Sequence, residues 1–252
     1  MSAGATIRIA IPARYDSTRL PGKPLVRIHG RPLLEHVWRC ACAVGADEVV
    51  VATDDERVVE AATAFGAKVC LTGSDHTSGT ERLAEVAREQ AWAAHDIVVN
   101  LQGDEPLTPP AVLRQVARNL EAHPDAAIAT LATPMGRGED PANANLVKVV
   151  TDGHGRALYF SRAPIPCDRD TSRPPGDYWR HIGLYAYRCE FLQQYARLAP
   201  VEIEQRESLE QLRALWHGFR IHVDVACEVP GAGVDTPEDL ERVAPLLGGR
   251  DG

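Results

Sequence analysis

Ile97-Val-Val-Asn-Leu101 is followed without a break by Gln102-Gly-Asp-Glu-Pro106. The first five residues carry no polar/apolar alternation, so a strand here is covered on both faces, as in a parallel sheet with helices on either side. The next segment places two carboxylates at the mouth of that core strand, where they need either solvent or a cation. Similar apolar runs occur at Ile7-Arg-Ile-Ala-Ile11, Glu48-Val-Val-Val-Ala52, Lys68-Val-Cys-Leu71 and Ala127-Ile-Ala-Thr-Leu131. Helical patterns separate them near 32–44, 56–65, 80–94 and 110–122, with Pro32, Pro109 and Pro110 suited to helix starts. Alternating strands and helices predict an α/β fold, a mostly parallel sheet with helices on both faces.

The second half has a different rhythm. Val147–Val150, Ala157–Phe160 and His181–Tyr187 read as strands between Gly- and Pro-rich turns, followed by helical patterns near 189–198 and 207–217. A strand at 220–226 and a helix from Pro237 complete the chain, and Arg173-Pro-Pro-Gly176 reads as an exposed loop. The expected organisation is a single domain over 1–252. Its core is drawn from about 1–135 and 220–252, and a smaller α+β lobe is inserted over about 136–219.

The 252 residues carry a net charge of −8 at pH 7, which opposes a nucleic-acid backbone at long range and confines phosphate binding to a local basic cluster. No run of eighteen apolar residues and no basic-then-apolar leader is present, so the expectation is a cytoplasmic protein with no membrane partner. The six cysteines form no Cys-x-x-Cys pair. Cys40, Cys42, Cys70 and Cys227 lie in apolar patterns and are expected to be buried small hydrophobes.

The local basic cluster lies directly after the first strand, in Pro12-Ala-Arg-Tyr-Asp-Ser-Thr-Arg-Leu-Pro-Gly-Lys-Pro24. Ligands of open parallel sheets bind at the carboxyl ends of strands. Arg14, Arg19, Lys23 and the hydroxyls of Ser17 and Thr18 suit a triphosphate there; a solvated basic loop is the competing reading. The loop is neither a Gly-x-Gly-x-x-Gly fingerprint nor a Walker A sequence. No nucleophile elbow or Ser-His-Asp arrangement points to a covalent intermediate.

This loop is one of seven segments that occur in order. The others are Asp75-His-Thr-Ser-Gly-Thr-Glu-Arg82, Asn100–Pro106, Tyr159-Phe-Ser-Arg162, His181-Ile-Gly-Leu-Tyr185, Leu209-Glu-Gln-Leu-Arg213 and Gly233-Val-Asp-Thr-Pro-Glu-Asp-Leu240. Together they closely resemble the 3-deoxy-D-manno-octulosonate (Kdo) cytidylyltransferase family. The resemblance implies a Rossmann-like nucleotidyltransferase that couples CTP to the sugar acid, releases pyrophosphate, uses Mg²⁺ and forms a homodimer through the smaller lobe. It places Ala13, Arg14, Ser17, Thr18, Lys23, Ser78, Gly79, Arg82, Gln102 and Asp104 on CTP. It places Gln102, Arg162, His181, Tyr185, Glu210 and Gln211 on the sugar acid, and Asp104 and Asp235 on the metal. Lys23, Arg14, Asp104 and Asp235 are the catalytic candidates. Glu105 is expected to face solvent or hold its loop, and Thr236 before Pro237 to cap the last helix, leaving Asp235 free.

Four positions depart from the family pattern: Asp16 inside the phosphate loop, Ala144, Cys167, and a short loop over 168–178. Asp16 is tolerable only if it points to water or pairs with Arg14 or Arg19. Two other readings stay open: transfer to another 2-keto sugar acid, and a regulator that binds nucleotide without chemistry.

Overall fold

The computed structural model describes residues 5–17, 19–76, 78–136, 138–169 and 177–248. The first half runs β1 (Ile7–Pro12), a hairpin of β2 (Arg27–Ile28) and β3 (Arg31–Pro32), α1 (Leu33–Cys42), β4 (Glu48–Thr53), α2 (Glu56–Ala64), β5 (Lys68–Leu71), α3 (Gly79–Glu89), β6 (Ile97–Asn100), α4 (Pro110–Ala122) and β7 (Ile128–Pro134). The second half runs β8 (Lys148–Thr151), β9 (Ala157–Ser161), β10 (Trp179–Arg188), α5 (Cys189–Tyr195), α6 (Glu202–Glu207), α7 (Gln211–Trp216), β11 (Ile221–Val225) and α8 (Pro237–Leu247).

The main sheet has the order β11-β7-β10-β6-β1-β4-β5, with β8 attached to β10 and β9 to β8. Neighbours are parallel except β10, which runs antiparallel to both β6 and β7. Ile9 and Ile11 face α1, α2 and α4, whereas Ala10 faces α3 and the α5–α7 side, so each strand face has its own apolar layer. That arrangement accounts for the absence of alternation in Ile97–Asn100, all four of whose residues are buried.

β10 joins the two halves. Its beginning pairs with β7 and, at Arg180, with β8; its end, from Tyr185, lies between β6 and β7. A register shift between Ile182 and Tyr185 separates these parts, and such a bulge re-aims the side chains that follow it.

The helix expected over 207–217 is shorter, α7 alone, and a separate helix, α6, ends at Glu207. Ser208 takes a left-handed conformation (φ 50°) after α6, and α7 starts at Gln211. A bidentate ion pair, Arg213 to Glu204 at 2.8 and 2.6 Å, holds the two together. Cys42 and Cys227 are exposed, contrary to expectation: Cys42 lies on the last turn of α1 away from the core, and Cys227 follows the end of β11. Cys70 is buried as expected, and Cys40 is partly so. No helix among the described residues is long and apolar enough to cross a membrane.

A third apolar cluster fixes the chain's last element. Val234, Val243 and Leu247 pack on Ile28, Leu33 and Leu107, which brings α8 back to the carboxyl ends of β1 and β6.

Candidate active site

A cleft of about 380 Å³ opens at those strand ends. Its floor depends on two glycines. Gly22, at φ 67°, lets the chain turn into a single 3₁₀ turn that presents Lys23. A Cβ on Gly103 would lie 2.8 Å from the Pro12 carbonyl, so only glycine lets the β6 loop close on the end of β1.

Lys23 Nζ lies 2.5 Å from Asp104 Oδ2 and 3.1 Å from Asp235 Oδ1, and Arg19 reaches Asp235 Oδ2 at 3.1 Å. The two carboxylates meet because Val234 N–H donates to the Asp104 carbonyl at 2.8 Å. Thus one ammonium bridges the anions that Gln102–Pro106 raised as a problem. Burial of the Lys23 amine opposes its charge, but Asp104 and then Asp235 outweigh that and raise its pKa. Glu105 is half-buried at the base of its loop. Burial pushes its pKa up to about 8, the charge of Asp104 adds to this, and Thr108 is its hydroxyl partner.

Most other nucleotide candidates gather at the same cleft, where Ala13, Arg14, Ser17, Gly79, Arg82 and Gln102 line the wall. Arg14 is exposed and donates to the carbonyl of His76, tying the first loop to the segment before α3. Ser78 caps α3 by accepting from Glu81 N–H at 3.2 Å, so the positive end of an 11-residue helix points to the cleft. Arg82 is fully buried and paired with Asp54 at 2.8 Å, which places it beneath the cleft floor. Asp16 is exposed on the rim, the harmless orientation for a carboxylate in this loop. Thr18 and the loop over 170–176 lie outside the described residues.

The sugar-acid candidates lie on β10, α7 and the end of β9. Tyr185 stands opposite Asn100 across the β6–β10 pair and is buried. Burial raises the pKa of Glu210, against the hydroxyls of Thr80 and Ser78 that bond its carboxyl. Its Oε2, Gln211 Nε2 and Asn100 Oδ1 are buried with no hydrogen-bond partner, which makes them places for a polar ligand. Arg162 instead spends its guanidinium on backbone carbonyls of Glu207, Ala144 and Ser208, at 2.6, 2.8 and 3.3 Å.

His181 is 2.9 Å from Thr130 Oγ1, whose single hydrogen goes to the Leu184 carbonyl at 2.7 Å. The ring therefore donates through Nε2, leaving Nδ1 as an acceptor. Burial pushes its pKa down to about 3, so it is neutral near pH 7 and offers hydrogen bonds rather than charge. A His with a depressed pKa contributes stability above its unfolded value near 6.5, lost as pH falls towards the folded value. His181→Gln is accordingly expected to lose less stability than wild type between pH 7 and pH 5, by up to about 2 kcal/mol. Urea unfolding at both pH values checks this; parallel losses would show the ring is not held neutral by the fold.

Sequence reading missed Arg19 as the second partner of Asp235, and Asp54 and Asn100 altogether. Asp54 and Asn100 carried a readable signal, since each sits at the carboxyl end of a core strand. Thr236 does cap α8, accepting from Asp239 N–H at 3.2 Å, and so leaves Asp235 to the cleft.

Among the described residues no three His, Cys, Asp or Glu side chains gather as a metal cage. Two convergent carboxylates nonetheless suit Mg²⁺, which binds through one or two carboxylates and takes its other ligands from phosphate and water.

The cytidylyltransferase family pattern matches residues 9–221. A 3-deoxy-manno-octulosonate cytidylyltransferase of Pseudomonas syringae pv. syringae is 56% identical over 97% of this chain and 99% of its own length. One from Aeromonas hydrophila subsp. hydrophila is 58% identical over 95% of this chain and 98% of its own. This chain belongs to the 3-deoxy-manno-octulosonate cytidylyltransferase family.

Among solved structures, CMP:2-keto-3-deoxy-manno-octonic acid synthetase complexed with CTP superimposes with a TM-score of 0.89 at 45% identity. That match covers 97% of this chain and 99% of the other. A 4-diphosphocytidyl-2C-methyl-D-erythritol synthase shares the fold at a TM-score of 0.64 and 18% identity. The Rossmann-like nucleotidyltransferase architecture is thus common to this cytidylyltransferase and its neighbours.

Proposed function

We propose that this cytidylyltransferase transfers CMP from CTP to the C2 hydroxyl of 3-deoxy-D-manno-octulosonate, giving CMP-Kdo and pyrophosphate. The observation that carries the reading is the cleft itself, where Arg14, Arg19 and Lys23 face a pair of carboxylates at the carboxyl end of β6. The cations of the first loop and the start of α3 hold the triphosphate. The new bond forms between the sugar oxygen and the α-phosphorus; the bond to the β-phosphate oxygen breaks, and the hydroxyl proton leaves to solvent. Asp104 and Asp235 would hold Mg²⁺, which when bound supplies counter-charge and lowers the pKa of the attacking hydroxyl.

Gln102, His181, Tyr185, Glu210 and Gln211 form the proposed sugar-acid side, where unpaired Glu210 and Gln211 atoms match the hydroxyl-rich acceptor. The segment over about 136–219 carries this side apart from Gln102, and the homodimer contact, and the protein works in the cytoplasm. Pyrophosphate release measured with CTP or UTP against a panel of sugar acids tests the function. Strong preference for CTP with Kdo is expected, because a mismatched base leaves buried polar groups unpaired; equal turnover of both nucleotides would reject it. Exposed Leu158 and Trp179 on the β8–β10 side are apolar surface that a dimer would cover. Sedimentation at micromolar concentration is expected to give a dimer mass, and a monomer would reject the assembly.

A further inference from the structure

Lys148 is completely buried, and all three of its ammonium hydrogens go to backbone carbonyls: Asn143 at 3.2 Å, Leu146 at 2.5 Å and Arg162 at 2.5 Å. A charge taken out of water persists only when so satisfied. What this ammonium joins is the 143–146 turn and the end of β9. Arg162 continues the connection. Its guanidinium reaches the Ala144 carbonyl of the same turn and the Glu207 and Ser208 carbonyls after α6. The Glu207 carboxylate returns the contact, accepting from Ser161 Oγ at 2.6 Å and from Arg162 N–H at 2.9 Å.

The held point is a strained one. Ser208 is non-glycine at φ 50°, ψ 50°, a conformation that costs roughly 1–2 kcal/mol and survives where the surroundings enforce it. Two and three residues further on stand Glu210 and Gln211, whose Oε2 and Nε2 are buried without partners. We propose that Lys148 and Arg162 form a two-cation brace that acts through the Ser208 hinge to aim Glu210 and Gln211 at the acceptor. Both are positioning residues, and Arg162 serves the sugar acid without touching it. The inference rests on the reading that Glu210 and Gln211 bind the acceptor.

The test is a double-mutant cycle of Arg162→Lys and Glu210→Gln, with KM for Kdo, KM for CTP, kcat and melting temperature measured on each protein. Lysine keeps the charge of Arg162 but lacks the planar fork whose Nε, Nη1 and Nη2 reach the separate carbonyls of Glu207, Ala144 and Ser208. Arg162→Lys is expected to raise the KM for Kdo roughly tenfold with KM for CTP unchanged, and the double variant to be no worse than Glu210→Gln alone. Lys148→Met, where it folds, should raise the same KM. If the two effects multiply, Arg162 meets the acceptor independently of Glu210 and the brace is wrong. If Arg162→Lys leaves the KM for Kdo unchanged while Glu210→Gln raises it, the brace is equally wrong. If Glu210→Gln itself leaves that KM unchanged, the assignment of the acceptor side fails, and the proposed role of the brace with it.

Discussion

Asp104→Asn and Asp235→Asn are each expected to lower kcat about a hundredfold or more, the usual loss when one stabiliser of transition-state charge is removed. Asparagine keeps the size and most hydrogen bonding of aspartate, so the fold has little reason to change. What disappears is one of two negative charges converging on a single cation, at 2.5 and 3.1 Å from Lys23 Nζ. With one carboxylate gone, a divalent ion has too few anionic protein ligands to compete with water. The Asp104 variant has a second, separate signature. Because the Asp104 charge helps raise Glu105, its removal should bring Glu105 back towards the ordinary carboxylate range. Single-turnover rates at limiting Mg²⁺ are the measurement. Turnover within a few-fold of wild type in both variants would make the carboxylates structural partners of Lys23 and Arg19.

Lys23→Ala is expected to depress turnover by a similar order, about a hundredfold, with a smaller effect on melting temperature. Lys23 is held at the cleft by two carboxylates, and a metal taking those carboxylates would release the ammonium towards the phosphates. There it would meet charge that grows on the departing pyrophosphate. A purely structural lysine predicts the opposite pattern. Its loss would leave Asp104 and Asp235 repelling each other across the closure made by Val234 and the Asp104 carbonyl, and stability would fall while activity per folded molecule held. Thermal unfolding and kcat on the same preparation separate the two. Added Mg²⁺ sharpens the contrast, since it should restore stability in the variant without restoring turnover.

Several features of this protein were legible in the linear chain because their causes are local. Ile97–Asn100 and the apolar centres of Glu48–Thr53 and Ile7–Pro12 read as strands buried on both faces, since consecutive apolar side chains leave neither face for water. That fixed a parallel sheet, and with it the ligand side, and put Arg14, Lys23 and Asp104 at strand ends. Thr236-Pro237 announced the cap of α8, because capping chemistry lies within three residues.

Other features depend on contacts between residues far apart, and no local pattern holds them. Lys23 and Asp235 are brought within 3.1 Å only by the packing of Val234, Val243 and Leu247 on Ile28, Leu33 and Leu107. The antiparallel entry of β10 between β6 and β7 likewise set Tyr185 opposite Asn100, a pairing decided by sheet order. The break at Ser208 looked like helix because 207–217 has helical periodicity; carbonyl contacts from Arg162 hold it otherwise. Burial, too, is collective: Cys42 and Cys227 sit in apolar patterns yet face water, and Glu105 is charged in sequence yet carries its proton to about pH 8. The sequence by itself determined which strands form and which end of the sheet binds. Only the tertiary structure decided which charges meet there, because electrostatic partnership depends on distance and burial, and both are properties of the packed chain.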